Sequence, residues 1–133
     1  MDAADLVAAM PHAVQLGIEL SSVSKDVIET RMRWRDDLCT MGGAVHGGAM
    51  MAFADSTGAI LAFLNLPEGA TTSTIESKTN FFRPVLQGHV QGSSRPLHVG
   101  RTFIVVQTEL VDDDGRAVGV VTQTQAVLQK EGR

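Results

Sequence analysis

The sequence predicts an α+β fold in which an antiparallel sheet of five to six strands wraps around one long buried central helix. Three observations carry that expectation. Residues 46–64 form one apolar run, HGGAMMAFADSTGAILAFL, in which Asp55 is the only charge. Within 25–34, Val27, Glu29, Arg31 and Arg33 alternate with Ile28, Thr30, Met32 and Trp34, the period-two pattern of a half-buried strand. Beyond residue 70 the chain turns to β-branched runs such as Phe103-Ile104-Val105-Val106 and Val118-Gly119-Val120-Val121, separated by turn formers.

The elements follow in order. A short helix is expected over Ala3–Met10, stopped by Pro11. Strands are expected around Gln15–Ser22 and Lys25–Trp34, followed by a turn-rich segment at Asp36–Val45. The central helix, His46–Leu64, ends at Asn65-Leu66-Pro67-Glu68-Gly69, where Pro and Gly supply the stop. Strands then read over Thr72–Arg83, Gly88–Leu97, Arg101–Asp112 and Arg116–Gln129. Asp112-Asp113-Asp114-Gly115-Arg116 is the expected hairpin turn between the last two. A helix apolar all round belongs in a core, and the open edges of so small a sheet invite pairing with a second subunit. With no linker, repeat or low-complexity block in view, a single domain over 1–133 is expected.

Composition narrows the function classes. The chain has 133 residues and a formal charge of −4, which argues against nucleic acid as partner. Its negative charge is concentrated at Asp112–Asp114, while arginines at Arg31/Arg33/Arg35 and Arg95/Arg101 are free to meet an anionic ligand. One cysteine, Cys39, excludes an intrachain disulfide and a cysteine-rich zinc site, and reads as a bland, partly buried thiol of a cytoplasmic protein. The run 47–64 approaches membrane-spanning length. A mid-run Asp, paired glycines and Ser56-Thr57-Gly58 argue for a protein core instead, so no membrane is expected. His12, His89 and His98 show no metal-ligand spacing; neither a metal nor a cofactor is expected.

Asp55 is the most informative residue. A carboxylate amid apolar neighbours is costly unless it is bonded or used in chemistry, so either Ser56, Thr57 or a neighbouring strand satisfies it, or it reacts. Eight and nine residues earlier, His46-Gly47-Gly48 suits a helix start whose N–H groups and positive dipole end face outward. Gly47 and Gly48 lack a Cβ that would keep a ligand away.

Residues Met41 to Asp55 closely resemble the signature of hotdog-fold acyl-CoA thioesterases, nearest the phenylacetate-pathway and hydroxybenzoyl-CoA (Arthrobacter-type) branch. The pattern is Gly-x-x-His-Gly-Gly with an acid nine positions past the His, filled here by Gly43, His46, Gly47, Gly48 and Asp55. Thr74–Val85 followed by Gly88, the turn Leu97-His98-Val99-Gly100-Arg101, and Asp113-Asp114-Gly115 resemble later parts of that family, so the likeness spans roughly Gly17 to Leu128. It implies hydrolysis of an acyl-CoA to free acid and CoA, with aryl or arylacetyl groups suggested by the branch and medium-chain fatty acyl groups open. It implies that the Gly47 N–H polarises the carbonyl while Asp55 acts as general base or nucleophile. His46 orders the helix start or meets substrate, and Gly48 serves close packing or binding. Thr40 stands where the family has Asn or Gln. Thr74 stands where relatives hold the attacking water, or is a plain strand threonine. Arg83, Gly100 and Arg101, with Arg95, are implied at the CoA phosphates.

One inference needs only helix geometry. Gly47 and Asp55 are ~12 Å apart along a helix, whereas a reacting atom must lie within roughly 3 Å of each group acting on it. If both act, they come from different subunits whose helices run antiparallel across a two-fold axis: a homodimer with two composite sites. The resemblance implies the same dimer and its pairing into a homotetramer. Two other readings are a non-catalytic acyl-CoA-binding module and a hotdog hydratase or dehydratase, whose paired His and acid motifs are absent.

Overall fold

The computed structural model describes residues 2–129; the remaining positions of the expected 1–133 domain lie outside the described residues. Helix α1 (Ala3–Ala8) opens with a reciprocal capping box between Asp2 and Asp5. Pro11 does not merely stop it: it is the first residue of a second helix, α2 (Pro11–Leu16). Proline lacks an N–H that this position would leave unpaired anyway. Gly17 closes α2 in the left-handed conformation, and Arg35 Nη2 donates to the Gln15 carbonyl at 3.1 Å. Gln15 and Leu16 are therefore helical, and the first strand begins later than the sequence predicts.

Strands β1 (Glu19–Val23), β2 (Ile28–Arg33), β3 (Thr71–Phe81), β4 (His89–Val99), β5 (Phe103–Val111) and β6 (Ala117–Leu128) form one antiparallel sheet, with helix α3 (Gly47–Leu64) between β2 and β3. In β2, Ile28, Thr30 and Met32 are buried and Glu29, Arg31 and Arg33 exposed, as the alternation predicts. The sheet order is β1-β2-β4-β5-β6-β3. After α3 the chain thus crosses to the far edge, where, among the described residues, β3 pairs only with β6.

The sheet curls around α3. The first half of the helix packs Met50 and Phe53 with Met32, Val90, Leu110, Val118 and Val121, and the second packs Ile60 and Leu61 with Ile28, Ile104, Val106 and Val127. The sheath covers one side only. Gly48 and Met51 are exposed, and Ala52, Asp55, Ser56, Ala59 and Phe63 are half-buried. The helix expected to be buried all round therefore keeps an open stripe, and Gly47, Met51 and Asp55 lie along it at four-residue spacing.

The β5–β6 hairpin is held by charge. Asp112, 7% exposed, accepts from the Asp114 and Arg116 backbone N–H groups at 3.0 and 2.9 Å and from Arg116 Nε at 2.8 Å. Burial pushes its carboxyl up, but these bonds and the Arg116 charge outweigh burial and hold it below the usual range. Asp113 is also lowered, chiefly by bonds from His89 and Gln91. A depressed carboxyl stabilises the fold above its unfolded value of about 4 and loses that contribution as pH falls through the folded value. Asp112→Asn is therefore expected to lower Tm relative to wild type at neutral pH. The gap should close in thermal scans taken toward pH 3, and a pH-independent gap would contradict the assignment.

Candidate active site

The hairpin at 39–45 delivers the start of α3. Cys39 and Val45 form a bridge, Thr40 N–H donates to Ala44 O at 2.8 Å, and Trp34 Nε1 donates to Gly43 O at 2.9 Å. His46 is the N-cap: its Nδ1 accepts from the Gly48 N–H at 2.8 Å. The Ala49 and Met50 N–H groups reach the His46 carbonyl at 2.9 and 3.1 Å. Of the first four N–H groups of α3, only that of Gly47 has no acceptor among the described residues.

Gly47 borders a recess of about 300 Å³ together with Ala44, Met50, Phe81, Phe82 and Arg83. A Cβ on Gly47 would come within 3.1 Å of the Phe81 ring. Arg83 is thus brought to the Gly47 end. Thr40 lies on the hairpin that leads into α3; it is exposed, and its hydroxyl makes no hydrogen bond among the described residues.

Two turns along α3, Asp55 meets strands instead of its own helix. Its Oδ1 accepts from Thr74 Oγ1 at 2.7 Å and from Gln123 Nε2 at 2.9 Å. Thr74 Oγ1 in turn accepts from Gln125 Nε2 at 2.7 Å. Asp55 Oδ2 has no partner among the described residues. Thr57 bonds the Phe53 carbonyl and Thr30 instead of Asp55.

Strand register explains this convergence. Thr74 pairs with Gln125, and the register shift before Glu76 leaves Ile75 as an extra residue. Such a bulge changes which side chains face inward. Thr72 and Thr74 face inward before it, and the more buried Ser77 and Thr79 after it. Ser77 Oγ, Thr79 Oγ1 and Gln123 Oε1 are buried without a partner among the described residues. A Cβ on Gly58 would strike the Gln123 amide, so a helix-interior glycine, which forgoes about 1 kcal/mol relative to alanine, is what makes room for it.

Gln123 and Gln125, 1% and 0% exposed, escaped the sequence reading. A signal was present: they occupy the inward phase of β6, between Val121 and Val127, where a central strand should carry apolar residues.

Gly100 and Arg101 lie in the β4–β5 turn, where Gly100 N–H bonds Phe103 O at 3.0 Å and Arg101 is exposed. Val127 N–H bonds Thr102 O, and Val127 pairs with Thr72, so this turn borders the Asp55 end of the sheet. Arg83 and Arg101 have no ion-pair partner among the described residues, unlike Arg31 and Arg35, which pair with Glu19 and Asp37. No group of three His, Cys, Asp or Glu side chains among the described residues is arranged to hold a metal.

The comparisons with known proteins agree with this architecture. A family model described as the thioesterase superfamily matches residues 42–118. The chain is 32% identical over 113 residues to the proofreading thioesterase EntH of Cronobacter turicensis, covering 85% of this chain and 82% of that one. It is 29% identical over 113 residues to 1,4-dihydroxy-2-naphthoyl-CoA hydrolase of Escherichia coli, covering 85% and 83%. The crystal structure of a Haemophilus influenzae thioesterase matches with a TM-score of 0.90 at 27% identity, over 97% of this chain and 92% of that one. The matched region contains both the unpaired Gly47 amide and the strand-held Asp55, and the chain belongs to the thioesterase superfamily as a thioester hydrolase of hotdog fold.

Proposed function

We propose that the protein hydrolyses acyl-CoA thioesters at two composite sites, each built from Asp55 of one subunit and Gly47 of its partner. The observation that carries this reading is Asp55 itself: two donors hold Oδ1 while Oδ2 is left open on the exposed stripe of α3. The Gly47 N–H is the matching donor for a developing oxyanion. The thioester carbonyl rests on that amide. Asp55 Oδ2 then takes a proton from the attacking water and returns it to the departing thiolate of CoA, or it attacks the carbonyl carbon itself and expels the thiolate, leaving an acyl anhydride that water cleaves to the free acid and Asp55 while its proton passes to the thiolate.

The two groups lie ~12 Å apart on one helix, so a single chain does not supply both. Gly47 sits under Phe81 and Asp55 bonds Thr74, which means α3 runs antiparallel to β3. Pairing two copies edge to edge along β3, about a two-fold axis near its middle, brings the Asp55 end of one onto the Gly47 end of the other. Unpaired backbone on that edge and the exposed Met51, Ile75 and Phe81 beside it favour such pairing. Arg83 of one subunit and Arg101 of the other then flank the same site, with guanidinium groups suited to CoA phosphates. His46 and Gly48 serve by capping, which leaves Gly47 as the free donor.

The acyl group enters an apolar cavity of about 210 Å³ bordered by Leu6, Met10, Ala59, Ile60, Phe63 and Thr72. Ala59 is one helical turn past Asp55, and Thr72 is two residues before Thr74. The cavity suits aryl or medium-chain groups, and the naphthoyl-CoA specificity named for the Escherichia coli relative favours the aryl class.

Thiol release from benzoyl-, phenylacetyl- and hexanoyl-CoA tests the proposal. Turnover is expected, fastest on an aryl-containing substrate, from a species whose light-scattering mass is two chains or a multiple of two. Tight binding without thiol release would replace the hydrolase by a binding module, and a single-chain mass would remove the composite site.

A further inference from the structure

We infer that Gln123 and Gln125 are positioning residues that select which oxygen of Asp55 reacts; this rests on the reading of Asp55 as the reacting carboxylate. The proton directions follow from chemistry. An ionised carboxylate only accepts, so at 2.7 Å the single proton of Thr74 Oγ1 points to Asp55 Oδ1. The Thr74 oxygen must then be the acceptor toward β6, and Gln125 Nε2, at 2.7 Å, is the donor that fills it. Gln125 Oε1 lies 3.1 Å from the Thr72 hydroxyl, whose single proton also has the closer Ala126 carbonyl as acceptor at 2.8 Å, so the orientation of this amide is set by its donation to Thr74. Gln123 must likewise present its NH₂ to the carboxylate, bonding Oδ1 at 2.9 Å with a longer 3.4 Å contact to the Asp55 carbonyl.

That orientation has a visible cost. It turns Gln123 Oε1 into the notch over Gly58, where this buried oxygen has no donor among the described residues. A side chain selected only for packing would be apolar here, as Val121 and Val127 are on the same face. Both glutamines are instead fully buried and both end, directly or through Thr74, on one oxygen. Oδ1 is thereby committed to the protein, the carboxylate plane is fixed, and Oδ2 faces the reacting carbon and water. Misaimed catalytic groups lose rate without losing binding.

The test uses thiol-release kinetics on the full-length dimer. Gln125→Met keeps the side chain's length and removes its donor. It is expected to lower kcat by roughly 10- to 100-fold with KM changed less than about twofold. Gln123→Met should do the same. Thr74→Val, on the exposed edge strand, should match Gln125→Met even if the buried variants fold poorly, while Thr74→Ser should restore kcat to within a few-fold of wild type. In a Thr74→Val background, Gln125→Met should cost nothing further, because its effect passes through the hydroxyl. A purely structural role predicts equal losses in both backgrounds. Unchanged kcat in the glutamine variants and Thr74→Val, with Asp55→Asn inactive, would overturn this inference alone. Turnover that survives Asp55→Asn would overturn the reading of Asp55 and the inference with it.

Discussion

Asp55→Asn is expected to lower kcat for acyl-CoA hydrolysis by roughly 10³-fold, within the range typical of a lost general base, while KM changes little. Asn is isosteric with Asp, and its carbonyl oxygen can still accept from Thr74 and Gln123, so the helix, bulge and β6 contacts are kept. What is lost is the charge on the open oxygen, which neither takes a proton from water nor attacks a carbonyl once it is an amide. A fall in kcat and kcat/KM together marks an interaction made in the transition state. Steady-state thiol release with matched circular dichroism checks this. Equal rates for variant and wild type would take Asp55 out of the mechanism and leave its network merely structural.

The second large effect concerns a backbone hydrogen. Gly47→Pro deletes the unpaired N–H at the first residue of α3, a position where proline is otherwise favoured. His46 precedes it at φ −59 and ψ 135, the extended region that a residue before proline prefers, so the helix start is preserved. The loss expected for one oxyanion donor is roughly 10²–10³ in kcat. Gly47→Ala is the control. It adds the same Cβ against Phe81, whose ring must give by a few tenths of an ångström, but it keeps the N–H. Alanine should therefore retain most of the rate that proline loses, and equal losses in the two variants would assign the effect to crowding instead of to the amide.

Local signals in the chain foretold the parts that local chemistry decides. The alternation of β2, the apolar run of α3 and the Asp-rich hairpin at Asp112–Gly115 are each written in a few neighbouring residues, and all three stand where the pattern places them. The N-terminal segment shows how one residue type carries two meanings. Pro11 forbids continuation of a helix yet is well suited to begin one, and only the capping geometry of α2 separates the two.

Long-range features were less legible. Nothing in Thr71–Phe81 by itself says that the strand crosses to the far edge beside β6, or that Ile75 is the extra residue that turns Thr74 toward the helix. The candidate site was legible in its anchors, since an isolated acid and a glycine-rich helix start are costly features that invite a reason. Its supports were missed because glutamines within Thr122-Gln123-Thr124-Gln125 look like the polar phase of a half-exposed strand until their register is known.

Co-expression of differently tagged Asp55→Asn and Gly47→Pro chains, each nearly inactive alone, addresses the shared site directly. Every mixed dimer then holds one site with both defects and one with neither. Random pairing makes half the dimers mixed, so activity is expected to recover to about a quarter of wild type. If Asp55 and Gly47 served the same reaction from within one chain, no mixed dimer would contain an intact pair, and activity staying at the level of the separate variants would contradict the account.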